Sequence, residues 1–435
     1  MQVFNAKLAQ QAWMIAPDTV RVMDALKANG GDARFVGGCV RDALVNRPVL
    51  DIDIATPLKP DDVIARLKAA KIKYAPTGLK HGTVTAVVDG HPFEITTLRV
   101  DVTPFGRHAD VAFTDDWEKD AGRRDFTINA MSATMDGDVY DPFSGVEHLR
   151  EGRVLFVGAP EQRIREDVLR ILRFFRFHAH FGQGSADLKA LVACAKMSGE
   201  IVKLSSERIR QEVFKLLESD RSAEVWNTML YAGVVTHFLP EATAVPVLQR
   251  LIALEADVHD KQGKAFVLRR LAALLDVTDE CIPMVVDALK LSNEQAAQLA
   301  TLASTTWKVS MKMTPKEIER LVYRLDNDMV RSLLLLASAR ENTRENFDVL
   351  YRAATSFRAP RFPLIGDDVM KLGWKEGPDI GRILKEMGEW WMDAEFRPGR
   401  TECLARLRDA YPPPPPPRPV WLGSKENKHG KETKE

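Results

Sequence analysis

Cysteine is scarce in this chain: Cys39, Cys194, Cys281 and Cys403 are spread over 435 residues, with no paired spacing. Neither a zinc site nor a disulfide framework is indicated. Net charge is also missing, since 61 basic residues face 61 acidic ones. That balance removes any global pull on nucleic acid, so a basic surface would have to be local and offset elsewhere. No apolar run reaches the length of a membrane span. Met1 to Leu8 has neither the basic start nor the long apolar stretch of a signal peptide. A cytoplasmic protein with no membrane partner is the expectation. No fixed-period repeat is present.

What the chain has is length and order. At 435 residues it exceeds one compact core and should hold roughly two to four domains. Residues 1–150 mix short strand-like runs with helices and glycine-bounded turns. The pattern predicts strands over Arg34–Val36, Asp51–Ala55, Thr83–Val88, Pro92–Thr97 and Asp138–Tyr140. It predicts helices over Pro17–Asn29, Arg41–Leu44, Pro60–Ala70 and Phe126–Ala130. From Glu161 onward, long amphipathic helical patterns take over, including Glu161–His178, Ser185–Met197, Ser206–Leu217 and Val245–Ala256. The fold class is therefore α+β, an N-terminal head with a sheet followed by an all-helical remainder. After Tyr411 come six prolines and a Lys- and Glu-rich end, expected to be a solvated, poorly ordered segment without chemistry.

Three segments carry candidate chemistry. Gly37-Gly38-Cys39-Val40-Arg41-Asp42 places two glycines ahead of an arginine, which suits a backbone closing around phosphate. Asp51-Ile52-Asp53-Ile54 sets two carboxylates at i and i+2, on one face of a strand whose other face is apolar. Ionised carboxylates in such a context need a positive partner, and a divalent cation such as Mg²⁺ supplies one. Glu94 could be a third carboxylate or could pair with Arg99. Gly122-Arg123-Arg124-Asp125 precedes a short apolar helix. Asp125 there reads equally as an N-cap or, with the arginines, as part of a triphosphate or ribose site. In the third segment, Glu166 and Asp167 lie four and three residues before Arg170, followed by Arg173 and Arg176. On one continuous helix these could be a surface ion pair. They could also read a base edge, the carboxylate accepting from an amino group while the guanidinium donates to a ring acceptor.

In this order the segments resemble the class II branch of the tRNA nucleotidyltransferases (CCA-adding enzymes) and bacterial poly(A) polymerases. Gly37–Asp42 with Asp51–Thr56 is similar to that family's catalytic motif, and Arg123–Ala130 to its ribose- and nucleotide-contacting motif. Asp141-Pro142-Phe143-Ser144-Gly145 resembles the segment joining head to neck, and Glu166–Arg170 the nucleotide-selecting motif. Ser206-Glu207-Arg208-Ile209 with Glu212 resembles the last motif, and Lys80–Val84 and Gly106–Ala109 are also similar to this branch. The likeness is strong over residues 33–217 and faint beyond. Cys39 stands where the family often has alanine, and reads as a packing residue.

The resemblance implies a nucleotidyltransferase-superfamily head with a mixed sheet (1–150), a helical neck selecting the nucleotide (151–217), and two helical tRNA-binding regions (218–350 and 351–410). Residues 411–435 form the terminal segment. It implies transfer of a nucleotide from CTP or ATP to the 3′ end of the tRNA acceptor arm, with Asp51 and Asp53 as catalytic ligands of two Mg²⁺ ions. Gly38 and Arg41 would bind the triphosphate, and Arg124 and Asp125 phosphate or ribose. Asp167 and Arg170, helped by Arg173 and Arg176, would choose C or A. A poly(A) polymerase of the same family, or a non-catalytic RNA-binding homologue, are the other readings.

Overall fold

The structure is a computed structural model that describes residues 3–101, 111–261, 266–275, 281–303 and 307–412. The Gly106–Ala109 likeness and the polyproline and charged end fall outside these residues. Contacts divide the chain into two compact units, residues 1–311 with 332–344, and residues 312–331 with 345–435.

The head is built on a mixed sheet. In chain order its strands are β1 (Val3–Lys7), β2 (Arg34–Val36), β3 (Ile52–Thr56), β4 (Lys73–Gly78), β5 (Thr83–Val88), β6 (His91–Thr97), β9 (Ser132–Ala133) and β10 (Asp138–Tyr140). β7 (Arg99–Asp101) and β8 (Val111–Phe113) form a separate two-stranded ribbon. Across the sheet the order is β1-β10-β9-β2-β3-β6-β5-β4, with β3 and β6 parallel and the other pairs antiparallel. β5 shows why it is a strand: its residues alternate partly exposed and buried, the period-2 signature. β3 sits centrally and ends fully buried at Ile54, Ala55 and Thr56. The chain reaches the parallel partner β6 through the helix α3, described next, and the β4–β5 hairpin.

Helices α1 (Pro17–Lys27), α2 (Gly38–Leu44) and α3 (Pro60–Ala69) flank the sheet, and α4 (Trp117–Gly122) and α5 (Gly145–Arg150) complete the head. Proline at the first turn starts both α1 and α3, where its missing N–H costs nothing. β1, β4, β7, β8 and β9 escaped the sequence reading; β4 is largely exposed and Ser132–Ala133 is only two residues long, so neither carries an apolar alternation. The predicted Phe126–Ala130 helix is a single 3₁₀ turn, Thr127–Asn129.

Beyond the head the structure is helical: α6 (Pro160–Glu166), α7 (Arg170–Phe181), α8 (Leu188–Met197), α9 (Ser206–Leu217), α10 (Ser222–Tyr231), α11 (Val245–Asp257) and α12 (Phe266–Leu274). The predicted continuous helix over Glu161–His178 is in fact α6 and α7 with a break between them, which matters below. Phe126, Phe156 and Phe174 pack with ring centroids 4.9 to 6.4 Å apart and join head to neck. The second unit is helical too, with Thr314 and Glu317 capping its first helix reciprocally. Its core gathers Val369, Ile383, Met387, Trp391 and Leu407. No helix among the described residues is long and apolar enough to cross a membrane.

One buried charge cluster ties neck to body. Glu255 on α11 is fully buried, and its two oxygens accept from Arg269 Nε and Arg270 Nε, each at 2.8 Å. Arg270 Nη1 then donates to the carbonyls of Leu217 and Ser219 at 2.6 and 2.8 Å, satisfying the C-terminal end of α9. Removing one member of a buried pair leaves an uncompensated charge. Glu255→Ala should therefore destabilise the chain by about 3–5 kcal/mol, read from denaturant unfolding, whereas breaking an exposed pair such as Arg382–Asp379 should change stability little.

Candidate functional site

The glycine pair starts the site. Gly37 has φ +69°, in the left-handed region, and a Cβ there would lie 2.8 Å from Arg124 Nη1. Only glycine fits both demands. Gly37 and Gly38 open α2 with their backbone facing a cavity. Arg41, on α2, is nearly buried. Its Nε and Nη2 donate to Asp42 at 2.9 Å each, and Nη1 donates to Asn129 Oδ1 at 2.6 Å. Its guanidinium lies over Phe181, 4.3 Å from the ring centre. Cys39 is buried behind the loop, its thiol pushed up to about 11 by burial. It packs and is no nucleophile, as expected.

Next to α2 runs β3. Asp53 lies in register with Glu94 on the parallel strand β6. Burial first, then the Glu94 carboxylate, push the Asp53 carboxyl up to about 6, against the opposing pull of Arg124; Asp51 adds to the rise. Asp51 differs from its expectation: β3 begins at Ile52, so Asp51 is an exposed residue ahead of the strand, beside a Leu50 that is 90% exposed. Val49 and Leu50 ahead of it lie in an irregular segment, with Leu50 exposed. Among the described residues no group of three or more His, Cys, Asp or Glu forms a metal cage. One or two carboxylates beside substrate phosphates are nonetheless the usual protein share of a Mg²⁺ site.

The Arg123–Asn129 segment forms the floor. Asp120 accepts from Arg123 Nε at 2.9 Å and faces Arg124 Nη2 at 3.6 Å. Asp125 is buried, and is not the cap of the following turn. Its Oδ1 accepts from Phe126 N (2.9 Å) and Asn129 Nδ2 (3.0 Å), and its Oδ2 from Arg173 Nε (2.6 Å). Burial alone would raise this carboxyl, but Arg173 and the two amide donors hold it below the ordinary carboxylate range.

The neck supplies the opposite wall, with a correction. Asp167 is not on a helix: its φ of −149° and ψ of 110° interrupt the ladder between α6 and α7. Its Oδ1 accepts from Leu169 N at 3.1 Å, a local turn that competes with the helix, and Arg208 Nη2 on α9 grips both its oxygens at 2.8 and 3.1 Å. Asp167 and Arg170 therefore do not meet on a helix surface. Arg170 pairs instead with Glu166 at 2.6 Å and donates to the carbonyls of Arg163 and Arg123 at 3.0 Å each. Glu166 and Arg170 do form an ion pair, but it spans the break between the helices and is largely buried, at 13% and 12% exposed, so it is not a surface pair on one helix. On α9 the buried Glu212 accepts from Arg176 Nε at 2.5 Å and faces Arg173 Nη1 at 3.8 Å.

These groups form one network, Asp42–Arg41–Asn129–Asp125–Arg173–Glu212–Arg176, running from head to neck. Arg41, Asn129, Asp125, Arg173 and Arg176 of this network line one cavity of about 540 Å³, which also takes Gly37, Gly38, Asp53 and Arg124 from the head. From the neck it includes Asp167, Arg170, Arg173 and Arg176. Of the site residues expected from sequence, Asp51 alone stays outside this lining. The break between α6 and α7 leaves both Asp167 and Arg176 lining the cavity. Asn129, Phe177 and Lys215 also line it and were missed as site residues. Asn129 lay inside a quoted motif; Phe177 reads as core, and Lys215 as one of the basic residues of a neck and body track for the tRNA backbone rather than of this cavity.

Residues 33–155 match the poly A polymerase head domain family, and residues 187–245 match the probable RNA- and SrmB-binding site of polymerase A. The chain is 34% identical over 387 residues to the mitochondrial CCA tRNA nucleotidyltransferase 1 of Mus musculus, covering 87% of this chain and 86% of that one. It is 30% identical over 398 residues to the CCA-adding enzyme of Streptococcus pneumoniae, covering 89% and 96% respectively. The solved Bacillus stearothermophilus CCA-adding enzyme in complex with CTP superposes with a TM-score of 0.71 at 26% identity, covering 90% of this chain and 96% of that one.

Proposed function

The chain belongs to the family of CCA tRNA nucleotidyltransferases and poly(A) polymerases, and from that membership we propose that it adds C and A from CTP and ATP to the 3′ end of tRNA, releasing pyrophosphate. One observation carries the assignment: a glycine loop, a strand carboxylate and an arginine-rich neck wall converge on a single cavity.

Mg²⁺ fits the strand side. A carboxyl raised by burial and by two neighbouring carboxylates marks a place where a dication relieves repulsion. Asp53 and Asp51 would hold the metal, with Glu94 beside them. Bound there, it would activate the attacking hydroxyl and stabilise charge on the departing pyrophosphate. The remaining roles belong to this chain's own groups. Gly38 presents its backbone to the triphosphate, and Arg41, fixed by Asp42 and Asn129, brings positive charge beside it. Arg124 reaches phosphate. The Asp125 oxygens are taken up by protein donors, so Asp125 contributes by orienting Arg173. Asp167 and Arg170 present an acceptor and a donor to the base edge, with Arg173 and Arg176 behind them. Cytosine and adenine each offer an amino donor next to a ring acceptor, so one protein edge serves both; U and G invert the pattern, at a cost of about 1–3 kcal/mol per unpaired buried group.

The neck over 151–217 selects the nucleotide, and 218–350 and 351–410 carry the tRNA. We place the reaction in the cytoplasm, although the relative of Mus musculus that is 34% identical is named a mitochondrial enzyme. The test is direct: tRNA lacking its 3′ end, incubated with each nucleotide and Mg²⁺, should gain C and A and no U or G. Open-ended adenylate tailing of unrelated RNA would instead make the chain a poly(A) polymerase.

A further inference from the structure

Six arginines line the cavity, and each faces an acid, Arg123 and Arg124 sharing one. Arg41 has Asp42 at 2.9 Å, Arg123 and Arg124 have Asp120 at 2.9 and 3.6 Å, and Arg170 has Glu166 at 2.6 Å. Arg173 has Asp125 and Arg176 has Glu212, each at 2.5 Å. Guanidiniums held this way are oriented hydrogen-bond donors with much of their charge cancelled locally. The seventh cation of the lining is Lys215, and among the described residues it forms no ion pair.

Its helix explains why. Glu212, three residues earlier on α9, is the natural i,i+3 partner of Lys215. That carboxylate is buried and turned inward, one oxygen on Arg176 and the other toward Arg173. Glu218, three residues later, is exposed, and no ion pair joins it to Lys215. The backbone at Lys215 is meanwhile anchored, because His180 Nε2 on α7 donates to its carbonyl oxygen at 2.6 Å. The result is an exposed lysine on an anchored backbone, at the rim of a cavity whose other cations each face an acid.

Resting on the nucleotidyl-transfer reading, we infer that Lys215 is a substrate-binding residue that takes a phosphate oxyanion at the mouth of the cavity. The oxyanion belongs to the incoming nucleoside triphosphate or to the phosphodiester next to the RNA 3′ end, both of which present the non-bridging oxygens a lysine binds as a point charge. It makes no contact with the base edge, so it adds affinity without choosing the base.

The test uses the full chain as wild type, Lys215→Met and Lys215→Arg. Binding of a non-hydrolysable CTP analogue is measured by calorimetry, and binding of tRNA lacking its 3′ end by fluorescence, each at low and high salt. Lys215→Met should weaken one or both by about tenfold at low salt, the gap closing as salt rises, with Lys215→Arg restoring most of it. Loss confined to the analogue identifies the triphosphate; loss confined to tRNA identifies the phosphodiester. Equal affinity of Lys215→Met and wild type for both ligands at low salt overturns the inference. Wild type binding neither ligand overturns the nucleotidyl-transfer reading itself, and the unsubstituted chain alone reveals that.

Discussion

Asp53→Ala should lose nucleotide transfer by on the order of 10³-fold while tRNA binding changes little. Lewis-acid stabilisation is worth several kcal/mol, and about 1.4 kcal/mol is tenfold in rate. Asp53 is placed for that role by its central strand, in register with Glu94 and beside the glycine loop. RNA contacts, by contrast, are proposed for the neck and beyond. The substitution removes an interaction made in the transition state and leaves ground-state RNA contacts alone. Asp51→Ala should cost less, because Asp51 sits exposed before the strand and outside the cavity lining. A variant at position 53 that keeps more than a few per cent of activity at saturating Mg²⁺ would refute the ligand assignment.

The same residue sets a pH dependence. Its carboxyl is raised to about 6 from an ordinary 3.8, so the folded chain holds this proton more tightly than the unfolded chain does. Folding stability from this group is therefore fully present below the ordinary value and is lost as pH rises through about 6. Proton and cation compete for the same oxygens, so the Mg²⁺ concentration for half-maximal activity should rise as pH falls below about 6. Asp53→Asn, which carries no such proton, would lack this dependence in any residual activity.

Much of the head was legible because its strands obey the simplest rule. Thr83–Val88 alternates visibly, and Asp53-Ile54 points one residue at the site and the next into the core. Asp51 was misplaced because local apolarity cannot tell a strand from an irregular segment that exposes Leu50. The larger surprise is the break at Asp167. Ile164, Val168, Ile171 and Phe175 keep helical spacing through it, with no glycine or proline to interrupt. What stops the helix is a short-range bond from Leu169 N and a grip by Arg208, 41 residues away. A single-residue turn of this kind is written partly in tertiary contacts, which a pattern of apolar positions does not contain. The same holds for Glu212: its place in a motif was legible, but its burial between two arginines was not.

That break sharpens the prediction for base choice. Asp167→Ala should relax discrimination against UTP and GTP by about tenfold to a hundredfold, the equivalent of one or two mis-paired buried groups. Triphosphate binding should weaken less. Because Asp167 also shapes the turn, Asp167→Asn serves as the second variant. It keeps the size and an oxygen for Leu169 N, but exchanges one acceptor for a donor. If Asp167 reads the base, the Asn variant should shift preference among nucleotides rather than merely lower all rates. If Asp167 only bends the chain, the Asn variant should behave as wild type and the Ala variant should lose all four nucleotides alike. Arg170→Ala removes a guanidinium held by Glu166 at the start of α7, and should likewise blur selection. Arg41→Ala supplies the contrast. It lies across the cavity on the phosphate side, fixed by Asp42 and Asn129, so its loss should raise the KM of CTP and ATP about equally. Assays of the variants with each nucleotide separate these accounts, and an unchanged preference order in both Asp167 variants would end the case for a protein template.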